Sequence, residues 1–177
     1  MAAVPVLDIE LSSATLEDEI VGLFDLLREP LLRYMASLGL PVADGEEIVQ
    51  EVFLALFQHL RRGGDRANLR GWVFRVAHNW GLKVRALHAA ESPFDPDLEA
   101  RLAAPAHDAE YDLLERERMV SFHHAVESLS DQQKRCLFLR LEGLRYPEIA
   151  AAMGISASAV CEFLRRAMAR LKKVRDE

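Results

Sequence analysis

Two stretches of this 177-residue chain carry side chains in a pattern that can do chemistry on a polyanion. Residues 61–85 hold Arg61, Arg62, Arg66, Arg70, Arg75, Lys83 and Arg85 against Asp65 alone, a net charge of +6. Residues 163–175 hold Arg165, Arg166, Arg170, Lys172, Lys173 and Arg175 with no acid, again +6. Phosphate attraction is local and screened within about 8–10 Å, so such a stretch can bind nucleic acid whatever the rest of the chain carries. The whole-chain charge of −6 argues against a nucleic-acid binder at face value, but it is a cancellation. Residues 1–60 carry −9 and residues 91–111 carry −5. Nucleophilic or metal chemistry finds less support. The six histidines are scattered, and the adjacent His123 and His124 diverge by about 100° on a helix, so they do not chelate one metal well. No Ser-His-Asp set and no Gly-rich phosphate loop occurs, which predicts no catalytic residue, no metal and no cofactor.

The elements that must carry these residues read as helices throughout. Half the chain is hydrophobic, which excludes wholesale disorder. No stretch approaches the roughly 18 apolar residues of a membrane span, and Met1 to Leu11 lacks the pattern of a secretion signal, so a cytoplasmic chain without membrane insertion is expected. Cys136 and Cys161 alone cannot build a disulfide framework. Val4 to Leu11 reads as a loose tail because it holds Pro5. Thr15 then caps a first helix with apolar positions from Ile20 to Leu38, which Pro30 should kink or split. Asp44 caps a second, with Glu46 and Glu47 in its first turn. Its stripe is Ile48, Val52, Leu56 and Leu60, flanked by Val49, Phe53 and Phe57, and Gly63-Gly64 stops it. Asn68 caps a third, running to about His88, with Leu69, Trp72, Val73, Val76, Ala77, Trp80 and Val84 as its apolar positions.

Residues 90–110, with Pro93, Pro96 and Pro105 among six acids, read as an acidic linker between two small helical domains, 1–89 and 111–177. After it come a helix from about Tyr111 to Leu129 and one capped by Ser130 that ends at Gly143. A short helix from Pro147 to Met153 then turns at Gly154 into a last helix capped by Ser156. In the last pair Ala151 is small where two helices would cross. Val160, Leu164, Ala167 and Leu171 form one inward stripe, and Ser158, Cys161, Glu162, Arg165 and Arg166 form the opposite face. A plain helical hairpin explains the stripe but not the glycine turn joined to a basic outer end. The pair therefore reads as a DNA-binding helix-turn-helix, its second helix fitted to a major groove. Glu162 on that face repels phosphate but can accept a hydrogen bond from a cytosine amino group.

Three segments together resemble a known family. Asp44 to Phe57 looks like the second conserved region of bacterial sigma factors. Leu69 to Asn79 resembles their promoter-melting segment, and Leu129 to Leu171 their fourth region. In order and at these separations, they identify the chain as similar to the extracytoplasmic-function group of the sigma-70 family. The resemblance implies binding to core RNA polymerase, direction of that enzyme to promoter DNA, and help in opening the duplex. It assigns Asp44, Glu47, Gln50, Glu51, Phe53 and Phe57 to the polymerase-docking helix. It assigns Arg61, Arg62, Arg66, Arg70, Arg75, Asn79, Lys83 and Arg85 to the −10 element. Melted DNA suits such a face, needing base charges for its backbone and aromatic or amide groups for its bases. Arg145, Ser156, Ser158, Cys161, Glu162, Arg165 and Arg166 match positions reading the −35 element. Cys161 and His78 stand where the family often has a basic residue. Many family members are held by an anti-sigma factor, and an exposed apolar docking face is compatible with one. The rival reading is a two-domain helix-turn-helix regulator whose first domain binds a partner instead of DNA. That domain would have no need of the +6 stretch at 61–85.

Overall fold

The structure, a computed structural model, describes the backbone of residues 7–91 and 112–176 and the side chains of 16–90 and 119–173. Seven α-helices and no strand occur among the described residues: α1 (Leu7–Ser37), α2 (Val42–Arg61), α3 (Leu69–Glu91), α4 (Asp112–Glu127), α5 (Asp131–Leu141), α6 (Tyr146–Met153) and α7 (Ala157–Asp176). The chain is all-α, as expected, and divides into two compact units, residues 1–84 and 85–177. The cut falls inside α3, ahead of the expected boundary at residue 89. Most of the expected linker, 92–110, lies outside the described residues.

In the first unit α1 starts at Leu7, so Thr15 lies inside the helix and does not cap it, and the expected tail has become helix from Leu7. Pro30 neither splits nor ends α1. The helix loses one backbone bond there, and burial of Leu27 and Leu31 on either side of Pro30 offsets that loss. Leu27, Leu31, Tyr34 and Met35 form its buried stripe, and Leu38 just past its end is buried as well. At the start of α2, Pro41 occupies the N-cap position and makes no side-chain cap, so Asp44 is a first-turn acid favourably set in the helix dipole and not the cap. Ile48, Val49, Val52, Phe53, Leu56 and Leu60 are buried, with Phe53 against Phe24 of α1. An added Cβ on Gly45 would lie 3.3 Å from Met35 Cβ, and one on Gly81 of α3 would lie 2.8 Å from Leu38 Cδ1. The absent side chains are what let the helices approach there. Asn68 caps α3 as expected, its Oδ1 accepting from the Gly71 N–H at 2.9 Å.

The inward face of α3 is rotated from the one expected. Val73, Phe74 and Ala77 are fully buried, while Trp72, Val76, Trp80 and Val84 are only half-buried. His78 follows on the inward face, 3% exposed, where it shares a 2.6 Å hydrogen bond between Nδ1 and the Tyr34 hydroxyl. A buried imidazole is tolerable only when paired, and this pairing makes His78 a core residue instead of a substitute DNA contact.

In the second unit Ser130 and Gln133 form a reciprocal capping box at the start of α5. The core gathers Ala125 and Leu129, Cys136, Leu137 and Leu139 of α5, Leu144, Ile149 of α6, and Val160, Leu164 and Ala167 of α7. Burial pushes the Cys136 thiol up to about 11, and its Sγ lies 3.4 Å from Met153 Sδ. The small residues packed at the α6 crossing are Ala150 and Ala152, whereas Ala151 points outward, one position away from the expected contact.

Candidate nucleic-acid interface

The turn between α6 and α7 is built by Gly154, whose φ of 66° and ψ of 34° are left-handed and cost a residue with a Cβ. The two helices meet at 105°, within the range of a helix-turn-helix. The Glu148 carboxylate accepts from the Arg145 N–H at 2.5 Å and closes the first turn of α6. The Ser156 Oγ accepts from the Ala159 N–H at 3.2 Å and caps α7, as expected. That hydroxyl also lies 3.0 Å from Ser158 Oγ, so both serines already have partners within the protein. With Val160, Leu164 and Ala167 inside, α7 turns Ser158, Cys161, Arg165 and Arg166 outward together.

Glu162 pairs with two arginines of its own helix. Its Oε1 accepts from Arg166 Nε at 2.6 Å and from Arg165 Nη2 at 2.8 Å, and its Oε2 accepts from Arg165 Nε at 2.9 Å. Hydrogen bonds from Arg165, then Arg166, hold the carboxyl down to about 2, and the same bonds raise Arg165. In the free protein the carboxylate is therefore engaged by arginines of its own helix.

In the first unit the outward faces of α2 and α3 differ in chemistry. On α2 the exposed residues include Glu46, Glu47, Gln50, Glu51, Leu54 and Gln58, with Arg61 and Arg62 at its end. Asp44 is half-buried at the start of this face and Phe57 half-buried along it. Phe53 does not belong to the face. It is 5% exposed and packs edge-on to Phe24 at 5.0 Å, because the stripe that buries Val49 and Val52 also turns Phe53 inward. Leu54, 51% exposed between Gln50 and Gln58, is the large apolar side chain at the middle of the face, with Val42 exposed at its start. Its i+4 spacing to both was the available signal.

On α3, Arg75, Asn79 and Lys83 form an exposed stripe at four-residue spacing. The half-exposed Trp72 and Trp80 lie alongside it. Trp72 stacks on His59 at 5.0 Å, and His59 Nε2 lies 3.2 Å from the Asp65 carbonyl oxygen, tying the end of α2 to the loop before α3. His59, Gln58, Arg62 and Gly64 help line a shallow hollow there. Arg70 lies over the Phe74 ring at 5.9 Å, and Arg66 is ion-paired with Glu19. Arg85 sits in the later turns of α3. No group of His, Cys, Asp or Glu among the described residues is arranged to hold a metal ion, and no single described helix is long and apolar enough to cross a membrane.

The family models for sigma-70 region 2 and sigma-70 region 4 match residues 23–81 and 119–171. RNA polymerase sigma factor CnrH of Cupriavidus metallidurans is 26% identical over 79% of this chain and 78% of its own. RNA polymerase sigma factor NccH of Alcaligenes xylosoxydans xylosoxydans is 27% identical over 76% of this chain and 75% of its own. The extracytoplasmic-function sigma factor SigG of Mycobacterium tuberculosis is 27% identical over 89% of this chain and 50% of its own. Among solved structures, CnrH in complex with the cytosolic domain of CnrY aligns with a TM-score of 0.60 at 22% identity, over 90% of this chain and 89% of that one. Sigma factor RpoE of Bartonella quintana, in complex with the anti-sigma factor NepR, aligns with a TM-score of 0.62 at 21% identity, over 89% and 97%. The two matched regions together cover most of the chain, and each falls on one of the two helical units just described. The chain belongs to the sigma-70 family, of the extracytoplasmic-function type, and is a transcription initiation factor.

Proposed function

We propose that this chain binds core RNA polymerase through the exposed face of α2, holds melted −10 DNA on α3, and reads the −35 element with α7. The observation that carries the reading is the pair of basic faces in separate units. Arg75, Asn79 and Lys83 are exposed beside half-exposed tryptophans on α3, and Arg165 and Arg166 are exposed on a capped helix of a helix-turn-helix. Single strands favour the first combination and a duplex groove the second. The division of work is 1–89 for polymerase and −10 DNA, 90–110 as tether, and 111–177 for the −35 element.

Glu47, Gln50, Glu51 and Leu54 contact polymerase in this scheme, with Asp44 and Phe57 supporting them. An apolar centre with an acidic rim suits a basic-rimmed partner groove. Phe53 acts by holding α2 in place. On the DNA side, Arg61, Arg62 and Arg70 add positive charge around the start of α3 and Arg85 near its end, and Arg66 joins them when its pairing with Glu19 opens. Arg145, Ser156, Ser158 and Cys161 complete the −35 surface. No step makes or breaks a covalent bond on this chain, so it acts without catalysis or cofactor, beside polymerase in the cytoplasm. CnrH is seen with the cytosolic domain of CnrY and the Bartonella RpoE with the anti-sigma factor NepR, and an anti-sigma factor covering the α2 face would keep this chain from polymerase.

Permanganate footprinting of promoter complexes tests the scheme. Holoenzyme carrying Arg75→Ala with Lys83→Ala should lose reactivity of unpaired thymines at the −10 element while keeping polymerase binding. Undiminished melting would remove α3 from the interface and favour the rival regulator.

A further inference from the structure

Glu162 is the one acidic side chain of α7 before Asp176, and it is set among the outward residues Ser158, Cys161, Arg165 and Arg166. It engages both arginines at once, through three hydrogen bonds of 2.6–2.9 Å. The spacing makes this available, since i+3 and i+4 both lie over the same face one turn on. The arginine side chains are 66% and 59% exposed and that of Glu162 39%, so the cluster stands at the surface where a duplex would arrive.

We infer that Glu162 is a built-in stand-in for DNA phosphate, which holds Arg165 and Arg166 in the free protein and so makes α7 selective for sites that can satisfy the carboxylate once it is released. This rests on the reading of α7 as the −35 helix. To reach phosphate, each arginine must exchange one anion for another, so the helix face presents a net charge of +1 instead of +2. That lowers attraction to any duplex, whatever its sequence. The released carboxylate then faces the major groove. A cytosine N4 or adenine N6 amino group within reach donates to it, whereas a site that puts only purine N7, guanine O6 or thymine O4 at that position leaves it without a donor. Indiscriminate contact is penalised at both steps and a matched site at the first alone. The fixed negative charge thus acts as a specificity determinant as well as a base contact. Held down to about 2 by the two arginines, the carboxyl is ionised in the free protein throughout the neutral range.

The test measures binding of the full chain to two duplexes by fluorescence anisotropy over a salt series. One duplex is selected from a random pool for tight binding to the unaltered protein, and the other is a scrambled version of it. Glu162→Gln, and Glu162→Ala as a second variant, should bind the scrambled duplex about fivefold more tightly, with a salt slope steeper by about one. The preference for the selected duplex should fall about tenfold. Arg165→Ala with Arg166→Ala should weaken both duplexes. An unchanged slope and preference in both Glu162 variants, or equal weakening on both duplexes, overturns the inference while leaving α7 as the reading helix. Unaltered binding by the double arginine variant overturns the reading of α7 and the inference together.

Discussion

Phe53 and Leu54 are neighbours in sequence with opposite fates, and truncating each separates folding from docking. Phe53 is 5% exposed with an edge-on partner in Phe24, whereas Leu54 is 51% exposed. Phe53→Ala removes a buried ring from the α1–α2 seam, at a cost of about 3–5 kcal/mol, of which the Phe24 contact accounts for about 0.5–1.5 kcal/mol. Marginal domains hold only about 5–15 kcal/mol in all. At roughly 4–8 °C per kcal/mol for a unit of this size, its melting midpoint should fall by at least about 12 °C. Leu54→Ala removes a side chain already in water, so stability should change by no more than about 0.5 kcal/mol. Its affinity for core polymerase should nevertheless drop about tenfold, as expected of an apolar anchor at the middle of a contact face. Circular dichroism melts of the full chain, paired with fluorescence titration against core polymerase, read both quantities. A Phe53→Ala protein that melts with the unaltered one, or a Leu54→Ala protein that binds polymerase undiminished, refutes the assignment of the two residues.

The remaining expectations concern packing, capping and thiol chemistry. Gly81→Ala should destabilise the first unit by about 1–3 kcal/mol, since its Cβ meets Leu38 and Met35. Gly22→Ala on open α1 surface should stabilise it by about 0.5–1 kcal/mol, and thermal melts compare the two. Ser130→Ala breaks the α5 capping box and should cost the second unit about 1 kcal/mol in a denaturant titration. Cys136 is buried with its thiol raised to about 11, so almost none is thiolate at pH 8, whereas Cys161 is exposed. Native alkylation followed by mass spectrometry should label Cys161 and spare Cys136, and equal labelling would contradict the buried site. The Glu162 carboxyl, lowered to about 2, supports α7 above the ordinary carboxylate range and loses that support only as pH falls toward 2. Helix content should therefore gain no step from this group between pH 5 and 8 when followed by circular dichroism.

Much of the architecture was legible because its determinants are local. Asn68, Ser130, Ser156 and Gly154 act through their own backbone neighbours, so residue type and position sufficed to find the caps and the turn. The inward stripe of α7 was legible through Val160, Leu164 and Ala167, all buried, while Leu171 at its far end is only half-buried. On α3 the run from Trp72 to Trp80 is apolar on several sides, and periodicity could not choose between Trp72 and Phe74. The choice is made by what α1 offers: a Tyr34 hydroxyl for His78 and the close approach at Gly81. The same ambiguity hid Phe53 and Leu54, because consecutive apolar residues on α2 leave the core edge undefined until α1 packs. Asp44 has the residue type of a cap, but Pro41 starts the helix three positions earlier. The Glu162 pairing lies at i+3 and i+4 spacing, but spacing alone does not say whether a surface carboxylate turns to its own helix or to a partner.

Transcription by purified core polymerase, with and without this protein, tests the central claim most directly. On fragments of the genome that encodes it, mapped start sites should appear only when the protein is added, and should share spaced −10 and −35 elements. Polymerase that gains no start site on any promoter, while the protein is folded and binds DNA, would contradict the account.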